Sequence, residues 1–250
     1  MKVSVILPVK NQTDKLLRHL EEKIIPYFDN CGLVYEILVQ SDGSNEQEEK
    51  KLEEGLKKMP LQVKHLPFSD KKGKGHAVKE GILAANGDYV LFMDADLATD
   101  LSVFDLMKKE LGKYDAYIGS RELKESKIAQ KQTFVRRITH FGSRMIIRMM
   151  FHLKGITDTQ CGFKMFKTDV AKLMARHQTV DGFAFDVEYL YFLSLNHFVT
   201  KEFPVIWTND ADSSVSAFSS SVNFFKALWG IKKNKKTYLL TEQERATLKK

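Results

Sequence analysis

Short apolar runs of strand formers alternate with amphipathic stretches through most of this chain. Val3 to Val9 predicts a first strand, and Leu16, Leu17, Leu20, Ile24 and Ile25 then recur at helical spacing. Glu36 to Gln40 and Leu61 to Leu66 predict two further strands, with a charged helix over Glu46 to Lys58 between them. A helix over His76 to Ala85 precedes the run Tyr89-Val90-Leu91-Phe92-Met93, which stops abruptly at acidic residues. A helix around Leu101 to Leu111 and a strand at Asp115 to Gly119 continue the alternation. Strands that alternate with helices in this way predict the α/β class, a mostly parallel central sheet flanked by helices.

Composition narrows the partners more than the fold. With 250 residues, 43% hydrophobic and 28% charged, the chain is long enough to bury a sizeable core and reads as ordinary globular protein. A formal net charge of +7 favours anionic partners: phosphates, nucleic acid or an anionic membrane. Cys31 and Cys161 have no metal-ligand spacing and suit a reducing, cytoplasmic setting without disulfides. Met1 to Pro8 is too short an apolar run for a signal peptide. No stretch approaches the roughly 18 apolar residues of a spanning helix, so the expectation is a soluble or peripheral protein.

The candidate chemistry centres on Asp94 and Asp96. Spaced i, i+2 at the C-terminal end of a strand, they share one side of it. That end of an α/β sheet is where ligands bind. Two carboxylates aimed at one point repel unless a cation lies between them, and hard ions such as Mg²⁺ or Mn²⁺ favour oxygen ligands. The alternative is that Asp96 or Asp100 only caps the following helix. Loops after successive strands carry Asn11, Asp42, Lys74 and the two acids, all predicted on one edge of the sheet. Neither a Gly-x-Gly-x-x-Gly fingerprint nor P-loop spacing is present, which leaves a mononucleotide-type site with a metal. Lys74 is placed to reach a phosphate, although a lysine-rich loop also fits a solvated turn.

Several fragments come in a fixed order: Leu7-Pro8-Val9-Lys10-Asn11, Ser41-Asp42-Gly43-Ser44, Lys72 to Val78, Met93-Asp94-Ala95-Asp96, Gly119-Ser120-Arg121 and Asp158 to Lys164. In that order they resemble the family 2 glycosyltransferases. The last fragment, with Phe185-Asp186-Val187-Glu188 and Phe203 to Trp207, is most similar to the dolichyl-phosphate β-glucosyltransferase branch, with the mannosyl enzymes as near neighbours. The resemblance covers roughly Val3 to Ser214 and implies a GT-A type nucleotide-sugar-binding fold over residues 1–215. By the same analogy Pro8, Val9, Asn11, Asp42, Lys74, Asp94 and Asp186 frame the donor, while Asp94 and Asp96 hold the metal on its diphosphate. Asp96 is then catalytic, because a divalent ion stabilises the charge on the departing diphosphate. The implied reaction is inverting transfer of a hexose to a polyprenyl phosphate. UDP-glucose is the favoured donor and GDP-mannose the alternative. Ser41 departs from the second Asp that many relatives carry, which leaves the manner of holding the base open.

Residues 130–153 predict a long helix with Phe134, Ile138, Phe141, Met145 and Met149 on one strip and Arg136, Arg137, His140, Arg144 and Arg148 beside it. Such a helix suits an anionic membrane surface, and also an ordinary core-facing helix with a solvated side. Residues 216–250 hold a second lysine-rich amphipathic stretch that suits a bilayer or the domain surface equally, then a polar tail. Arg121, with Arg136 or Arg137, is a candidate grip for the phosphate of a lipid acceptor. Such a phosphate is already anionic at neutral pH and needs no general base. A sugar hydroxyl acceptor would need one, from Asp158, Asp181, Asp186 or Glu188; Asp186 and Glu188 also fit structural or sugar-contacting roles. Two rival functions are a basic nucleotide- or nucleic-acid-binding module and a nucleotidyltransferase. The basic clusters lack interleaved stacking aromatics, so nucleic acid is not an expected partner. The first loop lacks the Gly-rich, Arg-containing form the second rival needs.

Overall fold

The computed structural model describes residues 1–67, 71–129, 134–208 and 217–248, with only the backbone described for 134–141 and 217–221. In chain order the elements begin with β1 (Lys2–Val9) and α1 (Thr13–His19), which runs through a π-helical turn at Leu20–Ile24 into α2 (Ile25–Asp29). They continue as β2 (Val34–Ser41), α3 (Glu46–Leu56), β3 (Val63–Leu66), α4 (Lys74–Ala84), β4 (Tyr89–Met93) and α5 (Ser102–Lys108). Next come β5 (Ala116–Ser120), β6 (Lys127–Ile128), α6 (Phe134–Phe151), β7 (Phe163–Lys167), α7 (Thr168–His177) and α8 (Phe185–Leu195). The chain closes with β8 (Thr200–Pro204), β9 (Ile206–Trp207), α9 (Ala217–Lys233), a 3-10 turn at Lys235–Tyr238 and α10 (Glu242–Thr247).

Seven strands form the main sheet in the order β3-β2-β1-β4-β7-β5-β8. All neighbours pair in parallel except β7, which is antiparallel to both β4 and β5. The chain therefore builds outward from β1 to β3 and returns to β4 on the other side of β1. That reversal opens a crevice beyond the C-terminal ends of β1 and β4, the ligand position of open α/β sheets.

Strand alternation divides the core into one layer on each face of the sheet. Val5 and Leu7 of β1 pack with Leu16, Phe28, Ile37 and Phe104, whereas Ile6 packs with Val78, Phe92 and Phe185 on the opposite face. The second layer extends to α6 and α9, where Ile147, Phe151, Leu228 and Ile231 are buried with α8, and to Tyr238 and Leu240. The described part of 216–250 thus packs one side against the main body. Met145 and Met149 of α6 and Val222, Phe225 and Trp229 of α9 remain exposed. No helix among the described residues is long and apolar enough to cross a membrane.

Candidate active site

Beyond Met93 the chain turns tightly over the paired acids. The Leu97 amide donates to the Asp94 carbonyl at 3.2 Å, with Leu97 at φ +54°, and the Ala98 amide donates to Asp96 Oδ1 at 3.0 Å. This Asx turn occupies one carboxylate oxygen but is not a helix cap, because α5 begins only at Ser102 and has no side-chain cap. The buried His19 ring, at the end of α1, holds the carbonyl of Ala95 through Nδ1 at 2.9 Å. On the other side, the Asp94 amide donates to the Gly162 carbonyl at 3.0 Å.

The ammonium of Lys74, from the first turn of α4, donates to Asp94 Oδ1 and also feels Asp186 and Asp96. Burial opposes the charge on Lys74, but these three carboxylates together hold its pKa above the ordinary lysine value. Asp186 is itself buried and ion-paired with Lys164, a lysine enclosed in β7 that also donates to the Cys161 carbonyl at 2.6 Å. Burial pushes the Asp186 carboxyl up, against the pull of Lys164 and Lys74. Asp94 therefore pairs with Lys74, while Asp186 pairs with Lys164.

Gly162 makes the Asp94 pairing sterically possible. A Cβ there would lie 1.9 Å from Asp94 Oδ2, so the carboxylate occupies the space a side chain would take. Gly162→Ala is expected to push Asp94 off Lys74 while the sheet stays intact. Stability in chemical denaturation should fall by about 1.5–3 kcal/mol, the loss of one charged hydrogen bond, with an unchanged circular dichroism spectrum.

The loops after β1 and β2 and the start of α4 form a continuous brace. Asp42 is buried, its amide donates to the Val9 carbonyl at 3.1 Å, and its Oδ1 accepts the amides of Lys72 at 3.2 Å and Gly73 at 2.7 Å. Gly73 has φ +133°, and a Cβ would sit 2.5 Å from the Asp181 carbonyl, so this turn demands glycine. Asn11 Oδ1 accepts the Asn45 amide at 3.0 Å, and the Asn11 amide donates to Ser44 Oγ at 3.1 Å. Pro8 is half-buried and Val9 is part of the core. The structure thus brings together the loops after β1, β2 and β4 and the start of α4.

Arg121 lies at the end of β5 and is committed to Asp158. Its Nε and one Nη donate to the two carboxylate oxygens at 2.7 and 2.9 Å, and its amide adds a third bond at 2.9 Å. The guanidinium also lies 5.7 Å from the centre of the Trp207 ring. Burial alone would raise the Asp158 pKa; Arg121 overrides it and holds the carboxyl at about 2. Glu202 of β8 fixes this corner by accepting the amides of Thr157 and Asp158 at 2.9 and 2.8 Å. The side chains of Arg136 and Arg137 lie outside the described residues. Glu188 is buried and fully used, accepting Thr179 N, Thr179 Oγ1, Val180 N and the Tyr238 hydroxyl at 2.7–3.1 Å. Sequence reasoning assigned no role to Gly162, Lys164, His19 or Glu202. Only the ordered fragment Asp158 to Lys164 marked the first two.

The crevice of this mostly parallel sheet holds the paired acids and a half-buried lysine, and the family model for glycosyl transferase family 2 matches residues 4–173. The chain belongs to glycosyltransferase family 2. It is 34% identical over 235 residues to a dolichyl-phosphate beta-glucosyltransferase of Dictyostelium discoideum, covering 90% of this chain and 72% of the relative. The human dolichyl-phosphate beta-glucosyltransferase is 30% identical over 241 residues, covering 91% of this chain and 74% of that one. Among solved structures, glucosyl-3-phosphoglycerate synthase of Mycobacterium tuberculosis, in complex with Mn²⁺, UDP-glucose and phosphoglyceric acid, superposes with a TM-score of 0.63. That match is 16% identical and covers 93% of this chain and 80% of the other. These neighbours are GT-A glycosyltransferases, and the fold is the GT-A fold.

Proposed function

We propose that this protein transfers glucose from UDP-glucose to a polyprenyl phosphate of the dolichyl type, with inversion, at a membrane surface. The observation that carries the reading is the ion pair of Asp94 with Lys74, beside Asp96, at the C-terminal end of β4. The names of the sequence relatives supply the acceptor class, and the solved neighbour with UDP-glucose supplies the donor class.

A divalent ion fits this donor set. The Lys74 ammonium is a cation already paired with Asp94, the candidate ligands are hard oxygens, and Gly162 leaves room for the Asp94 carboxylate. No group of three or more metal-ligand side chains occurs among the described residues. Mg²⁺-type sites commonly use one or two carboxylates and complete the shell with substrate phosphates and water. Asp94 and Asp96 would hold the ion, Mg²⁺ or Mn²⁺, and when bound it would act as a Lewis acid on the diphosphate oxygens. Lys74 adds a fixed positive charge beside them. Asp42 and Asn11 hold the nucleoside-side loops in place before the donor arrives, so little ordering is left to be done during binding.

The carboxylates themselves favour a phosphate acceptor over a sugar hydroxyl. Of the four candidate bases, Asp158 is locked to Arg121, Glu188 supports a turn and Asp186 is paired with Lys164, which leaves the exposed Asp181, 3.6 Å from His76. Groups so engaged are poor general bases, and a phosphate monoester needs none. The exposed apolar side chains of α6 and α9, with Arg148, Lys226 and Lys233 among them, suit the surface of an anionic bilayer. The test is transfer from UDP-[¹⁴C]glucose and Mn²⁺ to a polyprenyl phosphate in phosphatidylglycerol vesicles. Label in the lipid phase is expected, with weaker vesicle binding and slower lipid labelling for Trp229→Ser. Label appearing only in added soluble glycans would overturn the proposal.

A further inference from the structure

Lys74 reaches Asp94 from a helix start that its own N-cap leaves open. Gly73 has no side chain to offer there, so amides in the first turn of α4 need acceptors from elsewhere. One comes from far along the chain: the His76 amide donates to the Asp181 carbonyl at 3.1 Å. Cβ atoms at Gly73 and Gly75 would lie 2.5 Å from the Asp181 carbonyl oxygen and 2.7 Å from that of Val180. The backbone of 180–182 therefore lies directly on the turn that carries Lys74.

Residues 178–184 join α7 to α8 without helix or strand, and one buried carboxylate holds them. Glu188 accepts the Thr179 and Val180 amides and the Thr179 hydroxyl, and then the Tyr238 hydroxyl at 2.8 Å. Tyr238 lies beyond α9 in the 3-10 turn and is fully buried. Burial holds its pKa above the ordinary tyrosine value, so the hydroxyl keeps its proton and donates. Its backbone is fixed by Asn196, whose Nδ2 donates to the Tyr238 carbonyl at 2.7 Å and whose Oδ1 accepts the Leu240 amide at 3.0 Å. Packing alone would ask only for the ring. The hydroxyl does something further, because the carboxylate it steadies also binds the loop that seats α4.

We propose that Tyr238 is a positioning residue for Lys74. Through Glu188 it fixes residues 179–181, and the Asp181 carbonyl then holds the first turn of α4 so that the Lys74 ammonium faces the donor diphosphate. The proposal rests on the donor reading above. It adds to the donor site a residue of the C-terminal segment, outside the stretch that the family model matches.

The test compares wild type, Tyr238→Phe, Lys74→Met and the double variant by calorimetric binding of UDP with Mn²⁺. Amide hydrogen exchange at His76 is followed in the ligand-free wild type and Tyr238→Phe. Thr241→Ala, which opens the capping box of α10 instead, is the control for a loosened C-terminal segment. Tyr238→Phe should weaken UDP about tenfold, the scale of one hydrogen bond to a charged group. Exchange at His76 should quicken by about the same factor, while the amides of β4 keep their wild-type rates. Thr241→Ala should change neither quantity by more than about twofold. In the Lys74→Met background, Tyr238→Phe should cost less than about twofold, because no ammonium remains to be misplaced. A full loss that persists in that background overturns the proposal, since additive effects mark a tyrosine that acts elsewhere. Unchanged UDP binding or unchanged His76 exchange in Tyr238→Phe overturns it as well. So does an equal response from Thr241→Ala, or faster exchange throughout β4, either of which marks a tyrosine that only supports the fold. If wild type does not bind UDP, the donor reading fails, and His76 exchange still decides whether Tyr238 positions α4.

Discussion

Asp96→Asn is expected to lower glycosyl transfer about 10³-fold with the fold retained. Asparagine keeps the oxygen that caps the turn through the Ala98 amide, so the backbone over residues 94–98 has no reason to move. What it loses is the negative charge, and with it the hold proposed here for a divalent ion. Lewis-acid stabilisation of a departing phosphoryl oxygen contributes several kcal/mol, and each 1.36 kcal/mol is a factor of ten, which gives about three decades. Asp94→Asn should lose as much activity but differ in stability. Asp94 is the hydrogen-bonded partner of the half-buried Lys74, so its neutralisation leaves an ammonium less compensated. The pair of variants, compared by turnover and by thermal midpoint, separates the two acids: both inactive, only Asp94→Asn destabilised. Full activity of Asp96→Asn in excess EDTA would remove the metal from the account of this site.

The half of the molecule that holds these acids was legible in the sequence, and the reason is physical. β1, β4 and β5 are compact apolar runs and α3 is a charged helix with one buried side, so both periods show. The stretch from Phe163 to Leu195 hides its structure. β7 lies between β4 and β5 yet carries Lys164, which is tolerated only because Asp186 meets it inside the protein. That pairing is a tertiary contact with no local signature. α8 is buried on nearly every side, from Phe185 to Leu193, and so shows no polar stripe to mark a helix. For the site, Asp94, Asp96, Asp42 and Lys74 are visible as loop residues after strands. The roles of Gly162 and His19 are not, since each acts on the acid turn from more than sixty residues away. Arg121 shows the opposite difficulty. Its charge suggested a free phosphate grip, whereas two of its three guanidinium nitrogens are taken by Asp158.

That ion pair carries the second large effect. Asp158→Asn should destabilise the protein by about 3–5 kcal/mol at neutral pH, because removing one partner of a buried pair strands the other charge. For a chain of this size that is a fall of about 6–20 °C in the thermal midpoint. The defect should also reach the site. Asp158 Oδ1 accepts the Gln160 amide at 3.1 Å, and two residues further on Gly162 packs against the Asp94 carboxylate. The pH dependence has a fixed sign. A carboxyl held at about 2 in the folded protein and near 3.9 when unfolded binds more protons in the unfolded chain, so its contribution is complete above about pH 5. It is lost as pH falls through 4 towards 2. Wild type and Asp158→Asn should therefore differ most at pH 6–8, and their midpoints should draw together below about pH 4. A gap that stays constant from pH 7 to pH 3 would mean that the Arg121 pair is not what holds the loop from Thr157 to Gly162, and that Glu202, which binds the Thr157 and Asp158 amides independently of Arg121, is sufficient on its own.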